Sequence, residues 1–212
     1  MKVFKFGGAS VQNAERIKQL ASILQKYSGE KILIVISALG KTTNALEKVV
    51  NAFFAGNKEE ALSFFEEIKN VHLALAKELS PLPMPQLADF FTEIEWLLYD
   101  KPTQSYDYYY DQIVCVGELL STAIISNYLN ENGIKNSWID VRDVLRTDAN
   151  FRDAKIDWDF SAGKVKELIL PLFEDANFVI TQGFIGATDE NQSTTLGREG
   201  SDYSAAVFAN IL

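Results

Sequence analysis

The feature that most constrains the fold is a set of short apolar runs, rich in β-branched and aromatic residues, that alternate with longer segments of helical periodicity. Runs with apolar residues at consecutive positions are typical of strands that are buried on both faces of a parallel sheet. We predict strands at Lys2–Phe6, Lys31–Ile36, Ser137–Val141 and Phe178–Phe184. Helices are predicted at Ala14–Tyr27, Thr43–Phe54, Lys58–Leu79, Gln86–Leu98, Glu118–Asn130 and Phe160–Phe173. This alternation predicts an α/β fold, a three-layer α/β/α sandwich with a mainly parallel central sheet.

A proline-rich segment, Pro81–Pro85, interrupts the helical pattern. Each proline lacks an amide donor and restricts the residue before it, so a helix cannot continue through this segment. It therefore predicts the two helices of an inserted helical hairpin at about residues 53–100. Downstream, Ile139–Asp157 alternates charged and apolar residues, which predicts either a β-ribbon or an irregular excursion. Because residue 212 lies inside a helical pattern that begins near Ala205, we expect a longer parent protein.

Charge and composition exclude several classes of function. The net charge of −9 repels polyanions, so nucleic acid is not an expected partner. Cys115 is the only cysteine and His72 the only histidine, which excludes an internal disulfide and a zinc-ligand cluster. The sequence begins without a secretion signal, and no run approaches the roughly 18 apolar residues that span a membrane. We therefore expect a cytoplasmic protein without a membrane partner.

The first motif, KFGGAS at residues 5–10, leads from a strand through two glycines toward a helix. Glycines at such a turn let backbone amides approach an anion closely, and the helix N-terminus adds a positive dipole end. Lys5 would bring a cation to the same place. The alternative is a plain strand–turn–helix connection with a surface lysine.

The second motif, VISALGKTTN at residues 35–44, places hydroxyl groups after a buried strand. Its GKT tripeptide resembles the end of a Walker A loop, but that loop needs a glycine where Val35 stands, so this interpretation fails. Ligands bind at the carboxyl ends of strands in open α/β sheets, which favours a site here. Thr42 or Thr43 could equally cap the next helix, and the two interpretations are compatible.

Two further motifs carry charged side chains. Glu118 lies near the start of an apolar helix in GELLS, where a carboxylate is also favoured by the helix dipole alone. The loop TTLGREGSDYSA at residues 194–205 contains Arg198, whose planar guanidinium suits the carboxylate of an amino acid. Alternatively, Arg198 is solvated and Ser201 or Asp202 caps the last helix.

Five segments, in their order and sequence, resemble the aspartate kinases of the amino acid kinase superfamily. They are KFGGAS, VISALGKTTN, GELLS, RDVLRTDANF and ITQGFIGATDENQSTTLGREGSDYSA. The resemblance runs over the whole chain. It implies the amino acid kinase-like fold, with residues 1–212 as the N-terminal substrate-binding part of the kinase domain. The implied activity transfers the γ-phosphoryl group of ATP to the side-chain carboxylate of L-aspartate, giving 4-phospho-L-aspartate on the route to lysine, threonine and methionine. A homo-oligomer is expected for the full-length protein.

The resemblance also implies ATP as the co-substrate and Mg²⁺ as the metal ion, and it assigns roles to individual residues. It implies no side chain of this sequence as a metal ligand. It implies catalytic roles for Lys5 and Asp202 and contacts of Gly7, Gly8 and Ser10 with the ATP phosphates. The implied aspartate-binding residues are Ser37, Thr43, Glu118, Phe184, Arg198 and Ser201. An amino acid zwitterion needs a cation for its α-carboxylate and an anion for its ammonium, and Arg198 and Glu118 provide one each.

The sequence departs from the family pattern at three positions. Ala9 replaces a usual threonine, and Arg152 stands where glycine is common. Glu199 replaces a usual glycine, which adds a negative charge beside Arg198 and strains the turn if that position has a positive φ.

The family's nucleotide-binding half and regulatory domains follow the last helix and are absent from these 212 residues, so we expect the isolated chain to be inactive.

Two alternatives to an aspartate kinase remain. Another member of the superfamily would act on a different acidic amino acid. A non-catalytic domain that binds an amino acid or a partner belongs to a different class. A dinucleotide-binding oxidoreductase is disfavoured because no G-x-G-x-x-G follows a predicted strand.

Overall fold

The structure is a computed structural model that describes every residue from Met1 to Leu212, and its centre is a four-stranded parallel sheet. The strands lie in the order β1-β2-β4-β3. In the register of the sheet, Phe6 lies opposite Ile36, which lies opposite Gln182. The carboxyl ends of β1, β2 and β4 therefore meet at one edge. The strands are β1 (Lys2–Phe6), β2 (Ile32–Ile36), β3 (Asn136–Trp138) and β4 (Phe178–Gln182).

Helices cover the sheet, whose two central strands are mainly apolar. Every residue of β2 and β4 is buried, as the continuous apolar runs predicted. Helix α6 packs against β2, β3 and β4, helix α8 packs against β4, and helix α9 packs against β1 and β2. The helices are α1 (Ala14–Gln25), α2 (Thr42–Phe54), α3 (Lys58–Leu79), α4 (Pro85–Tyr99), α5 (Tyr106–Val114), α6 (Val116–Glu131), α7 (Trp158–Lys164), α8 (Leu170–Asp175) and α9 (Gly200–Ile211).

The proline-rich segment separates α3 from α4, which confirms its predicted effect on the chain. The two helices fold back on each other, so that Lys69 Nζ lies 2.7 Å from a carboxylate oxygen of Glu95. The rings of Phe65 and Phe91 meet edge to face at 6.2 Å between centroids. Both rings are buried, so aromatic packing closes the interior of this hairpin.

The predicted strand Phe178–Phe184 is too long at its carboxyl end. It stops at Gln182, because Phe184 adopts a positive φ of 73° that no strand permits. The chain then forms a small antiparallel hairpin that we had not predicted, with strands β5 (Ile185–Ala187) and β6 (Ser193–Thr195).

The segment Ile139–Asp157 is an irregular excursion, so the β-ribbon alternative is wrong. It contains one 3₁₀ turn at Val141–Asp143 and two isolated bridges, of which one joins Arg146 to Ala187. The predicted strand Ser137–Val141 is shifted accordingly and occupies Asn136–Trp138.

Helix α5 was not predicted, and it runs almost directly into α6. Ser105 caps α5, since its hydroxyl accepts a hydrogen bond from the amide of Tyr108 at 3.2 Å. By length and composition the stretch Tyr106–Glu131 could cross a membrane, although we had expected no such run. In the fold, 89% of its most apolar window is buried, so this stretch packs as a core helix.

Candidate functional site

A cavity of about 540 Å³ opens at the carboxyl edge of the sheet, where the loops after β1, β2 and β4 meet the first turns of α6 and α9. Nine of the eleven predicted site residues line it: Lys5, Gly8, Ser37, Thr43, Glu118, Phe184, Arg198, Ser201 and Asp202. Gly7 and Ser10 lie in the adjoining turn after β1 and do not line the cavity. The motifs at residues 5–10, 35–44, 117–121 and 194–205 are thus brought to one place.

Gly8 joins the loops that follow β1 and β2. Its carbonyl oxygen accepts a hydrogen bond from the amide of Gly40 at 3.0 Å. A methyl group at Gly8 would lie only 2.8 Å from the carbonyl oxygens of Ala38 and Gly40. Glycine is required here because the two loops touch through their backbones.

Lys5 and Asp202 form an ion pair at the mouth of the cavity. The Lys5 ammonium, at the end of β1, lies 2.9 Å from Oδ1 of Asp202 in the first turn of α9. The Asp202 side chain is 66% exposed, so the pair contributes little to stability. Its position leaves the ammonium accessible to an anion that enters the cavity.

Glu118 is the most perturbed ionisable group of the site. Its side chain is buried, and Oε1 accepts a hydrogen bond of 3.3 Å from the amide of Ala38. Oε2 is also buried but has no hydrogen-bond partner. Burial raises the pKa of Glu118 to about 8, although the Ala38 amide opposes this shift. The residue is therefore a neutral acid in the empty pocket near pH 7, with one oxygen free for a ligand.

Close packing between α6 and the loop after β2 holds Glu118 in place. A methyl group at Gly117 would lie 3.1 Å from the side chains of Ala38 and Leu46, so glycine permits this close approach. The hydroxyl of Ser121 donates to the carbonyl oxygen of Ser37 at 2.8 Å. The Ser37 backbone is fixed in this way, whereas its hydroxyl has no partner within the chain.

The loop that precedes α9 supplies Arg198. The guanidinium is exposed and makes no ion pair or hydrogen bond within the chain. Gly197 before it and Glu199 after it both have positive φ, at 75° and 59°. The strain that we predicted for Glu199 in place of glycine is therefore present.

Phe184 forms a wall of the cavity in a strained backbone conformation. Its φ of 73° is unusual for an aromatic residue. Two hydrogen bonds hold it, because its amide donates to Ser204 Oγ at 2.9 Å and its carbonyl accepts from the Leu196 amide at 2.8 Å. Gly200 lies against the ring, where a methyl group would approach within 2.7 Å. The ring position is thus set by the loop that carries Arg198.

Sequence reasoning missed Arg152 and Tyr110, which also line the cavity. The tyrosines at residues 106–110 were assigned no functional role from the sequence, and Arg152 was treated only as a departure from the family pattern. One signal was available: Tyr106 and Tyr110 are four residues apart, as are Asp107 and Asp111, so each pair lies on one face of a helix.

Asp111 is buried beneath this part of the cavity. Its carboxylate accepts hydrogen bonds from the amide and hydroxyl of Thr195, at 2.8 and 2.7 Å, and from the amide of Arg152 at 2.9 Å. Burial raises the pKa of Asp111 to about 6, against the lowering effect of these hydrogen bonds. Asp111 therefore anchors two segments that border the cavity.

A second cavity of about 690 Å³ lies beside α2 and α3, and none of the predicted site residues lines it. His72 borders it and is fully buried, with Nδ1 bonded to the carbonyl oxygen of Ile68 at 2.7 Å and Nε2 without a partner. Burial lowers the pKa of His72, so the imidazole is neutral. The cavity lined by Lys5 and Arg198 is the better candidate because charged and hydroxyl groups converge there.

Comparisons with known proteins show which family the chain resembles. A family model described as the amino acid kinase family matches residues 1–212. Lysine-sensitive aspartokinase 3 of Escherichia coli is 32% identical over 212 residues, which cover 99% of this chain and 46% of that protein. Chloroplastic aspartokinase 1 of Arabidopsis thaliana is 34% identical over 233 residues, which cover 99% of this chain and 38% of that protein.

A solved structure shows the same fold. The crystal structure of E. coli aspartokinase III in complex with aspartate and ADP superposes with a TM-score of 0.87 at 31% identity. The match covers all of this chain and 46% of that one. The chain thus spans less than half the length of these relatives.

Proposed function

The chain belongs to the amino acid kinase family, and from this premise we propose that it is the substrate-binding part of an aspartate kinase. The reaction transfers the γ-phosphoryl group of ATP to the side-chain carboxylate of L-aspartate and yields 4-phospho-L-aspartate and ADP. We further propose a cytoplasmic protein, a homo-oligomer when complete, that serves the synthesis of lysine, threonine and methionine.

The observation that carries the proposal is that one cavity contains both an acidic group with one unpartnered oxygen and a basic group without a partner within the chain. Oε2 of Glu118 is buried without a partner, and the guanidinium of Arg198 has none either. A buried carboxylate oxygen without a partner is costly unless a ligand satisfies it. An amino acid supplies both complements, because its ammonium pairs with Glu118 and its α-carboxylate with Arg198. The hydroxyls of Ser37 and Thr43 border the same space and would complete the binding of the acceptor.

The chemistry of the transfer fits the remaining residues. The side-chain carboxylate of aspartate is ionised at neutral pH, so one of its oxygens can attack the γ-phosphorus without a general base. A new carboxyl oxygen–phosphorus bond forms while the bond from phosphorus to the β,γ-bridging oxygen breaks, and ADP leaves with that electron pair. Lys5 would neutralise negative charge on the transferring group, and Asp202 would orient the Lys5 ammonium.

ATP would enter with its phosphates toward Lys5, Gly7 and Gly8. The chain has no group of three or more His, Cys, Asp or Glu side chains arranged to hold a metal. Mg²⁺ usually keeps several waters and is bound through substrate phosphates and one or two carboxylates, so the proposed reaction does not require a dedicated cluster of side-chain ligands. When bound, Mg²⁺ would neutralise phosphate charge. We propose that the adenosine is held by sequence that corresponds to the additional length of the relatives.

One observation favours a second candidate, a domain that binds an amino acid without turnover. Glu199 places a carboxylate next to Arg198 at a position where the backbone favours glycine. This charge would compete with a substrate carboxylate for the guanidinium.

The test incubates the full-length protein with ATP, Mg²⁺ and each of a panel of amino acids. A coupled assay measures ADP release, and hydroxylamine traps the acyl phosphate. Aspartate-dependent formation of both products supports the proposal, and Lys5→Met is the matched inactive control. A preference for glutamate would identify a kinase for another acidic amino acid. Calorimetric binding of aspartate with no turnover would identify the binding domain instead.

A further inference from the structure

Arg152 is a second arginine in the candidate pocket, at a position that favours glycine. Its side chain lines the same cavity as Arg198. Its carbonyl oxygen borders Gly197, where a methyl group would lie 3.2 Å away, so Arg152 packs on the loop that carries Arg198. Two arginines therefore line one cavity of about 540 Å³ from adjacent loops.

The backbone of Arg152 is held in a strained conformation. Its φ is 69°, and its amide donates to the buried carboxylate of Asp111 at 2.9 Å. Asp111 is itself fixed by two hydrogen bonds from Thr195. Strained residues of this kind persist where the surroundings hold them, and they cluster at functional sites. An arginine where glycine fits best points to a use of its side chain.

The guanidinium of Arg152 is held in place by its neighbours, but not all of its hydrogen-bond donors are used. It lies 4.3 Å from the ring centroid of Tyr110, a distance that allows a cation–π contact. Nη1 donates to Asp107 at 3.1 Å, while Nε and Nη2 have no acceptor within the chain. Tyr110 and Asp107 thus hold the planar group, and two of its three nitrogens remain free for an anion.

The contacts of Arg152 indicate which anion it would bind. Its partners lie on α5 and beside Gly197, and it makes no ion pair or hydrogen bond with Lys5, Gly8 or Asp202. Arg152 therefore lies beside the loop that carries Arg198 and does not contact the residues proposed to hold phosphate. An acidic amino acid carries two carboxylates, and Arg198 accounts for one of them.

We propose that Arg152 is a specificity-determining residue that binds the second carboxylate of an acidic acceptor, the one that Arg198 does not hold. This inference rests on the proposed function. A guanidinium that contacts one oxygen of the side-chain carboxylate leaves the other oxygen free to attack phosphorus. Selection for a dicarboxylate then comes from two arginines rather than one.

The test compares Arg152→Gly and Arg152→Gln with wild type in the full-length protein. Arg152→Gly relieves the backbone strain, so loss of folding does not confound the result. Arg146→Gln is the matched control, because that guanidinium also stacks on an aromatic ring, at 4.1 Å from Phe160, but lies outside this cavity. Asparagine, which lacks the second carboxylate, serves as the comparison ligand.

We expect both Arg152 variants to raise the KM for aspartate about tenfold or more, the loss expected for a charge-assisted hydrogen bond. The KM for ATP and the inhibition constant of asparagine should stay within about twofold of wild type, as should every constant of Arg146→Gln. An unchanged KM for aspartate would overturn the inference. So would a parallel loss of asparagine binding, or a rise confined to the KM for ATP, which would assign Arg152 to phosphate.

Failure of the proposed function would look different. If the wild type shows no transfer, calorimetry with aspartate and asparagine on wild type and Arg152→Gly still tests the inference. The inference is supported if the wild type prefers aspartate over asparagine and Arg152→Gly does not. It is overturned if the ratio of the affinities for aspartate and asparagine is the same in both proteins.

Discussion

The ammonium of Lys5 lies 2.9 Å from a carboxylate oxygen of Asp202, so that strand β1 and helix α9 are linked across the mouth of the pocket. The two residues are far apart in the sequence, yet the fold brings their side chains together at the cavity that we propose as the phosphoryl-transfer site. An ion pair this exposed is more useful for orienting a cation than for stabilising the fold.

Replacing Lys5 by methionine should lower kcat by about 10²- to 10³-fold, the cost of removing one stabilising donor from developing transition-state charge. The KM for aspartate should change little, because Lys5 serves the phosphate side. Steady-state kinetics of the full-length enzyme would measure both. Lys2→Met is the control, since Lys2 belongs to the same strand but pairs with Glu30 at its other end. A kcat within a few-fold of wild type would remove Lys5 from catalysis.

Arg198→Ala should raise the KM for aspartate by about 10- to 100-fold, because a hydrogen bond to a charged group contributes about 1.5–3 kcal/mol. Arg198→Lys should recover only part of this, since lysine keeps the charge but loses the planar fork. Initial rates at varied aspartate concentration would show the effect. Arg16→Ala, on the exposed face of α1, is the control. Normal aspartate affinity in Arg198→Ala would exclude this arginine from the pocket.

Binding of aspartate should release a proton from Glu118. Burial raises the pKa of this carboxyl to about 8, so below pH 8 the empty pocket holds the protonated form. The ammonium of the ligand favours the ionised form, and the affinity should therefore rise by up to about tenfold per pH unit toward pH 8 and level off above it. Calorimetry in buffers of different ionisation enthalpy would detect up to about one proton released near pH 7.

The variant Glu118→Gln provides the control for this proton. It should bind aspartate weakly, without proton release at Glu118 and without the corresponding rise in affinity toward pH 8. If the wild type binds aspartate with no proton release at pH 7, Glu118 is not the partner of the ammonium.

Glu199→Gly should stabilise the protein by about 1 kcal/mol, because an ordinary residue at a φ of 59° is strained whereas glycine is not. The value of kcat/KM for aspartate should be maintained or increased, since a competing carboxylate beside Arg198 is removed. Glu199→Ala separates the two effects, because it removes the charge but keeps the backbone strain. Thermal unfolding and initial rates would measure them. A large loss of activity in a folded Glu199→Gly protein would mean that the carboxylate has a positive role.

The parts of the site that could be predicted from the sequence stand in contiguous motifs at the ends of predicted strands. Lys5 was proposed in this way, because parallel strands carry their carboxyl ends to one edge of the sheet. Arg198 and Glu118 were proposed from the family resemblance of the motifs around them. The unpartnered oxygen of Glu118 could not be predicted, since it depends on how α6 packs against the loop after β2.

The pairing of Arg152 with Tyr110 was missed for a similar reason. Helix α5 is rich in tyrosine, which has only moderate helix propensity, and it is defined by the Ser105 cap and by packing rather than by an apolar stripe. Its contact with Arg152 joins two segments with no shared pattern. The end of β4 was misplaced because the positive φ of Phe184 is imposed by the loop before α9, which no local sequence signal reveals.

The contacts that shape the pocket connect residues far apart in the chain, and this has a consequence for how the chain folds. Ala38 bonds to Glu118 across 80 residues, Ser37 to Ser121 across 84, and Asp111 to Thr195 across 84. Each contact requires closure of a long loop, and such contacts are slow to form. A partly folded chain therefore lacks the assembled pocket, whatever helices it has already formed. A ligand of the pocket would bind only the fully assembled chain, and its binding would report complete folding.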